Sequence, residues 1–381
     1  MNPVDIAQQL IRIPTITPCT DMACPNLLAG MLEDLGFSVR HFAETNQDGQ
    51  PVRSIFATIG SGQPHFLFSG HFDVVPPGDE THWRHDPFGA HIEDDILYGR
   101  GAVDMKGEVA CAIAAAGHFL KETPDFKGTL SFLLTGDEEI GGFHGAQPLV
   151  AQLWHEGIHF DDALVIEPSS FDKLADTCKI GARGIAKHNL TVKGVAAHAA
   201  YPASGVNAAH KLNKVLQRLI ETPFDEGNEY FEPTNLQVTD VSVSYPIWNV
   251  LPEEAYALLQ MRYSDYWNWH TLEERLREMI DLPENEYTLE GVHIARPFLC
   301  KSDTFKKTVS HAVNSVLGYT PKGLTTGGSS DGRYLAPYCN VIEIGLFNHS
   351  MHHIDEYVPL ADLYTMTEIY GNILNGYFQQ K

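Results

Sequence analysis

The chain has 381 residues, 43% of them hydrophobic, and carries 26 basic against 49 acidic residues, a formal charge of −23. That length exceeds what one hydrophobic core usually supports, so at least two domains are expected, and the composition is that of a globular protein. The acidic excess argues against nucleic-acid and anionic-membrane partners.

The N-terminal run Met-Asn-Pro-Val-Asp-Ile-Ala starts an amphipathic helix and has neither the basic region nor the apolar core of a secretory signal. No window approaches the ~18 apolar residues of a membrane span, so a cytoplasmic enzyme is the expectation. From Val4 to about Cys178 apolar strands alternate with helical patterns, of which Lys106 to Glu122 is the clearest helix. This predicts an α/β fold with a central, mostly parallel sheet and helices on both faces.

Near Gly181 the character changes. Lys187 to Lys193 alternates like a strand with one exposed face, Gly205 to Glu221 reads as a helix, Val238 to Val243 and Ala255 to Arg262 as strands, and Thr271 to Ile280 as a helix. Such an order suggests an inserted α+β, ferredoxin-like domain over 182–294. The larger domain is then discontinuous, 1–181 and 295–381, its sheet resuming near Phe298 and closing on helices at 305–317 and 360–377. Six cysteines (Cys19, Cys24, Cys111, Cys178, Cys300, Cys339) are scattered without a Cys-x-x-Cys pair and read as free thiols.

Four clusters carry chemistry. The run Ser-Gly-His71-Phe-Asp73-Val-Val-Pro follows a short apolar strand, and residues two apart in an extended segment share a face. The Asp73 carboxylate can therefore take the second N–H of His71 and orient the ring for a metal. Next come Gly-Arg-Gly-Ala-Val-Asp104, then the paired carboxylates Glu138-Glu139 ending a strand, then Glu167 ending another. His352-His353-Ile-Asp-Glu supplies imidazoles near the C-terminus.

Two divalent ions about 3.5–4 Å apart need one bridging carboxylate and further protein ligands on each side. His71 and Glu167 suit one ion, Glu139 and an imidazole of the His352-His353 pair the other, and Asp104 the bridge. Imidazole and carboxylate without thiolate suit zinc, with cobalt or manganese as replacements. Glu138, next to a ligand and so pointing elsewhere, is placed as a general base. The glycine pair Gly327-Gly328 is followed by no Gly-Lys-Ser/Thr and is not a nucleotide loop.

Together with His198-Ala-Ala-Tyr201-Pro, Asn249-Val-Leu-Pro and Thr-Gly-Gly-Ser-Ser-Asp-Gly-Arg-Tyr, these motifs make nearly the whole chain resemble the M20 metallopeptidases, and within them the branch that removes a succinyl group from diaminopimelate. The resemblance selects His352 over His353 as ligand. It implies two zinc ions, a homodimer formed through the inserted domain, and His198 reaching across that interface to the substrate carbonyl. Lys179, Tyr201, Asn249, Arg262, Gly327, Gly328, Ser329 and Asn348 carry over as substrate contacts, for an acylated amino acid such as N-succinyl-LL-2,6-diaminopimelate.

Departures bear on the acyl group. The family's Gly-Arg-Arg-Gly-Ser is here Gly181-Ala182-Arg183-Gly184-Ile185, and His349 and Asp355 replace a small residue and an asparagine. Arg183 or His349 is expected to compensate in holding the substrate carboxylate. Rival readings are an acetylornithine-type deacylase, a dipeptidase, or an inactive metal-stabilised binding homologue; the last is disfavoured because Asp104 and Glu138 are both present.

Overall fold

The computed structural model describes residues 1–379 and divides into two compact units. The first comprises Met1–Ile180, Leu299–Leu324 and the chain from Gly328 onward; the second comprises Gly181–Phe298 and Thr325–Gly327.

An eight-stranded sheet organises the first unit, in the order Ser38–Thr45, Pro51–Ser61, Gly128–Thr135, His65–His71, Asp162–Val165, Asn340–Glu343, Thr177–Lys179, Lys322–Leu324. Its centre is parallel: His65–His71 runs alongside Gly128–Thr135 on one side and Asp162–Val165 on the other, and Asn340–Glu343 continues parallel to the latter. All three of the first-named strands are buried along their whole length, which explains why they read as unbroken apolar runs rather than alternating ones. The edge hairpin Ser38–Thr45 and Pro51–Ser61 is antiparallel. The sheet resumes in the last segment at Lys322, not at Phe298; Phe298–Leu299 is a two-residue strand outside it.

The helix Lys106–Glu122 has the predicted bounds and packs against both Pro3–Ile11 and Leu360–Phe378. Five alanines and two glycines keep it slender, and every residue from Lys106 to Gly117 is buried, as expected of a helix apolar on all sides. Phe68 stacks on Phe132 (centroids 5.1 Å apart) and meets Tyr370 edge-on (5.7 Å). Truncating so enclosed a ring costs about 3–5 kcal/mol.

The second unit holds a four-stranded antiparallel sheet, Asn235–Val243, Glu254–Tyr263, Gly184–Lys193, Tyr287–Ala295, with the helices Ala208–Glu221 and Trp269–Ile280. Gly184–Lys193 alternates buried and exposed, the pattern of a sheet with one packed face. Asn207 caps the first helix by accepting from the N–H groups of Ala209 and His210, and a capping box of Asn268 and Thr271 starts the second. The strand Tyr287–Ala295 lies beyond the elements read from sequence and completes a β-α-β-β-α-β order. Gly291 interrupts its side-chain alternation, which weakens the strand signal.

Candidate metal centre

Parallel register delivers the site. His71 pairs with Thr135, and Ser69 with Val165, so three adjacent strands end at one edge of the sheet. His71 closes the first, Glu138 and Glu139 follow the second in a short turn, and Glu167 follows the third. Asp104 precedes the helix that starts at Lys106, and His352 comes from the loop before the C-terminal helix.

The side chains converge closely. His71 Nε2 lies 3.1 Å from Asp104 Oδ1 and 3.6 Å from Glu167 Oε1. His352 Nε2 lies 3.1 Å from Asp104 Oδ2 and 3.1 Å from Glu139 Oε2. Each oxygen of Asp104 thus faces a different imidazole. Ligand atoms of His71, Glu138 and Glu167 lie within 4.8 Å of one another, as do those of His71, Asp104 and Glu139. Glu138 stands as close to His71 and Glu167 as a ligand would, so proximity alone does not separate its role from theirs.

Electrostatics reinforce the geometry. Burial would lower the His71 imidazole, but hydrogen bonds to Asp104 and Asp73, with Glu167 nearby, hold it well above the usual histidine range. Hydrogen bonds to Asp104 and Glu139 push His352 up to about 10. Burial, and after it the charge of Glu167, pushes Glu138 well above the carboxylate range; burial likewise raises Glu167, with Asp104 adding to it. The pocket therefore gathers more negative charge than its two imidazoles balance. Oxygen and imidazole donors with surplus charge fit divalent cations.

Asp73 departs from the expected geometry. The nearest acceptor for His71 Nδ1 is the backbone carbonyl of Asp73 at 2.9 Å, with the Asp73 carboxylate at 3.4 Å. Both carboxylate oxygens also accept from the backbone N–H groups of Glu138 and Glu139, each at 3.2 Å. Asp73 is buried and ties the His71 strand to the turn bearing both glutamates.

From the other side, Arg333 Nη2 and the Tyr334 hydroxyl donate to the carbonyl of Gly141, at 2.6 and 2.7 Å, holding that same turn. Gly141 has φ +112°, which favours glycine at this corner. In the sequence Arg333 and Tyr334 carry no signal beyond membership of the Gly-Gly-Ser-Ser-Asp-Gly-Arg-Tyr run. Beneath the site Glu108, raised to about 8 by burial, takes the Tyr370 hydroxyl at 2.6 Å and the Leu346 N–H.

The expected substrate contacts divide between the units. In the first, Lys179 Nζ pairs with Glu343 at 2.9 Å and reaches the Gly328 carbonyl at 3.3 Å, Ser329 accepts from Arg333, and the Asn348 N–H bonds Ser170. The second holds Arg183, His198, Tyr201, Asn249, Arg262 and Gly327. There His198 sits beside Tyr201, with centroids 5.7 Å apart, on a two-residue strand paired with Val250–Leu251. Both side chains are exposed. Arg183 is engaged by Glu232 at 3.1 Å. His353 is exposed, and its backbone carbonyl rather than its ring makes its contact with Arg100. All six cysteines are free.

A parallel α/β sheet whose strand ends gather imidazoles and buried carboxylates defines a metal-dependent hydrolase. The model of peptidase family M20/M25/M40 matches residues 67–376, and the chain belongs to that family. It is 42% identical over 382 residues to a succinyl-diaminopimelate desuccinylase of Methylobacterium nodulans, covering 99% of this chain and 96% of that protein. To the protein of the same name from Methylocella silvestris it is 38% identical, over 99% and 98%. Among solved structures, a dinuclear metal-binding peptidase of the M20 family from Bacillus subtilis shares the fold, with a TM-score of 0.70, 14% identity and coverage of 97% and 96%. A tripeptidase from Staphylococcus aureus does so with a TM-score of 0.79, 18% identity and coverage of 100% and 98%. No helix among the described residues is long and apolar enough to cross a membrane.

Proposed function

We propose that this enzyme hydrolyses N-succinyl-LL-2,6-diaminopimelate to succinate and LL-2,6-diaminopimelate, in the cytoplasm, with two zinc ions that cobalt can replace. The observation that carries the two-ion reading is the division of the Asp104 carboxylate between His71 and His352 at 3.1 Å each. His71 and Glu167 would hold one ion, Glu139 and His352 the other, and Asp104 both. The names of relatives about 40% identical over nearly the full length support the substrate.

Ions held by these residues would supply Lewis acidity toward the amide carbonyl and a more acidic water. Glu138 takes the proton of the attacking water on its carboxylate and passes it to the leaving amine nitrogen. A carboxyl group raised by burial and by Glu167 is suited to both halves of that transfer. Asp73 holds the Glu138 turn through the two backbone bonds. Lys179, Ser329, Gly328 and Asn348 from the first unit, and Tyr201, Asn249, Arg262 and Gly327 from the second, would contact substrate. The inserted domain 182–294 would form the homodimer and supply His198 to the developing oxyanion.

One observation favours a different acyl group. Arg183, the arginine left in Gly181-Ala182-Arg183-Gly184-Ile185, is already paired with Glu232. An acetylornithine-type deacylase would need no guanidinium for an acyl carboxylate. Steady-state turnover of N-succinyl-diaminopimelate beside N-acetylornithine, on zinc-loaded protein, decides between them. A strong preference for the succinyl compound, lost in Glu138→Ala, is expected; preference for the acetyl compound moves the substrate and leaves the two-ion site.

A further inference from the structure

Glu356 is completely buried, and none of the chemistry above uses it. Its Oε1 accepts from the backbone N–H groups of Val103 at 2.8 Å and Asp104 at 3.0 Å. Its Oε2 takes Arg100 Nη1 at 2.7 Å, and the same nitrogen donates to the His353 carbonyl at 3.1 Å. Arg100 lies over the Trp83 ring, 5.1 Å from its centroid, while the Trp83 N–H bonds the Pro77 carbonyl. The Glu356 carbonyl in turn accepts from Gly99.

One carboxylate and one guanidinium thus fasten two loops to each other. The loop of residues 99–104 ends on Asp104, and the loop of residues 352–356 begins on His352. Both His352 (φ +62°) and Asp355 (φ +59°) are held in the left-handed region, which non-glycine residues adopt when their surroundings over-determine them. Asp355 is itself fixed by the Arg84 N–H at 2.6 Å.

A buried ion pair is a weak source of stability, since desolvation offsets most of the attraction and an apolar pair of similar volume often does as well. What an apolar pair could not do is grip the backbone of one metal-binding residue while holding the loop of another. We propose that Glu356 and Arg100 are positioning residues that set the spacing between Asp104 and His352, and hence the affinity for the ion those two residues share with Glu139. The proposal rests on the two-ion reading of the site and is independent of which acyl group is removed. In other metal sites, removing such outer partners costs 10–100-fold in affinity.

Glu356→Gln keeps an oxygen for the two backbone N–H groups but turns an amide N–H toward Arg100. The test titrates chelator-treated full-length protein with Co2+, following visible d–d absorption and competition with a chelating dye, with circular dichroism to confirm the fold. In Glu356→Gln one cobalt is expected to bind as in the wild type and the other about 10–100-fold more weakly, with an altered spectrum. Turnover should fall through kcat, with KM for the acylated substrate nearly unchanged. Two cobalt ions bound with wild-type affinity and spectrum overturn the proposal. Arg100→Lys covers the case in which Glu356→Gln does not fold: unchanged affinity for both ions there also overturns it. A wild type that binds two ions but ignores succinylated substrate removes the substrate reading and leaves this one standing.

Discussion

Two buried histidines in this chain face opposite surroundings. His71 in the first unit and His188 in the second are both about 1% exposed. His71 is ringed by Asp73, Asp104 and Glu167 and is held well above the ordinary imidazole range. His188 stacks on Trp269 (centroids 5.4 Å, planes 12° apart), Trp269 stacks on His293, and burial pushes His188 down to about 4. Neither ring nitrogen of His188 finds a hydrogen-bond partner among the described residues. One histidine sits among carboxylates that draw it toward the charged form, while the other is a flat ring that fills space. Burial is the same in both; the neighbours decide the chemistry.

Glu138→Ala tests the chemical side of this contrast and should have the largest effect. A general base contributes roughly 10²–10⁴-fold, so kcat should fall by about that factor while metal content stays at the wild-type level. Because Glu138 is a carboxylate raised by burial, removing it should leave the thermal midpoint unchanged or higher. A variant that loses its metal along with its activity would make Glu138 a ligand instead.

His188→Leu tests the packing side. The folded-state value of about 4 lies below the unfolded value near 6.5, so the unfolded chain binds more protons between the two. Stabilisation from the neutral ring is therefore complete above pH 6.5 and lost as the pH falls through about 4, by at most about 3 kcal/mol. Denaturant unfolding at pH 7, 5.5 and 4.5 should show the variant gaining on the wild type as the pH drops, with turnover at pH 7 little changed. Parallel pH profiles would show that His188 is not the buried neutral group described.

The smallest effect belongs to the surface pair Arg40–Glu156, 2.7 Å long but with both side chains a third or more exposed. Glu156→Gln should leave the thermal midpoint and the activity where they are, because solvent-screened pairs contribute little. A clear loss would mean that surface charge matters here as much as buried charge.

What the sequence revealed, and what it hid, follows the range of the interactions involved. The bounds of Lys106–Glu122 and the fully buried strands were legible because periodicity and apolar runs are local. The candidate ligands were legible because each ends a strand or opens a turn in a distinctive run, and parallel register then brings three of those ends together. The role of Asp73 was only half legible: two residues from His71, its carboxylate lies 3.4 Å from that ring, but it also accepts from backbone groups 65 and 66 positions away. Glu356 bonds the N–H of Val103 and Arg333 the carbonyl of Gly141, links that carry no periodic trace. Tyr287–Ala295 escaped because a glycine at its centre breaks the alternation by which strands are recognised.

In the two-ion reading Asp104 would serve both ions, one through each oxygen. Anomalous diffraction at the zinc edge from zinc-loaded crystals tests it most directly. Two peaks about 3.5–4 Å apart are expected, flanking the Asp104 carboxylate, one beside His71 and Glu167 and the other beside His352 and Glu139. A single peak in fully loaded protein, bound to only one oxygen of Asp104, would contradict it.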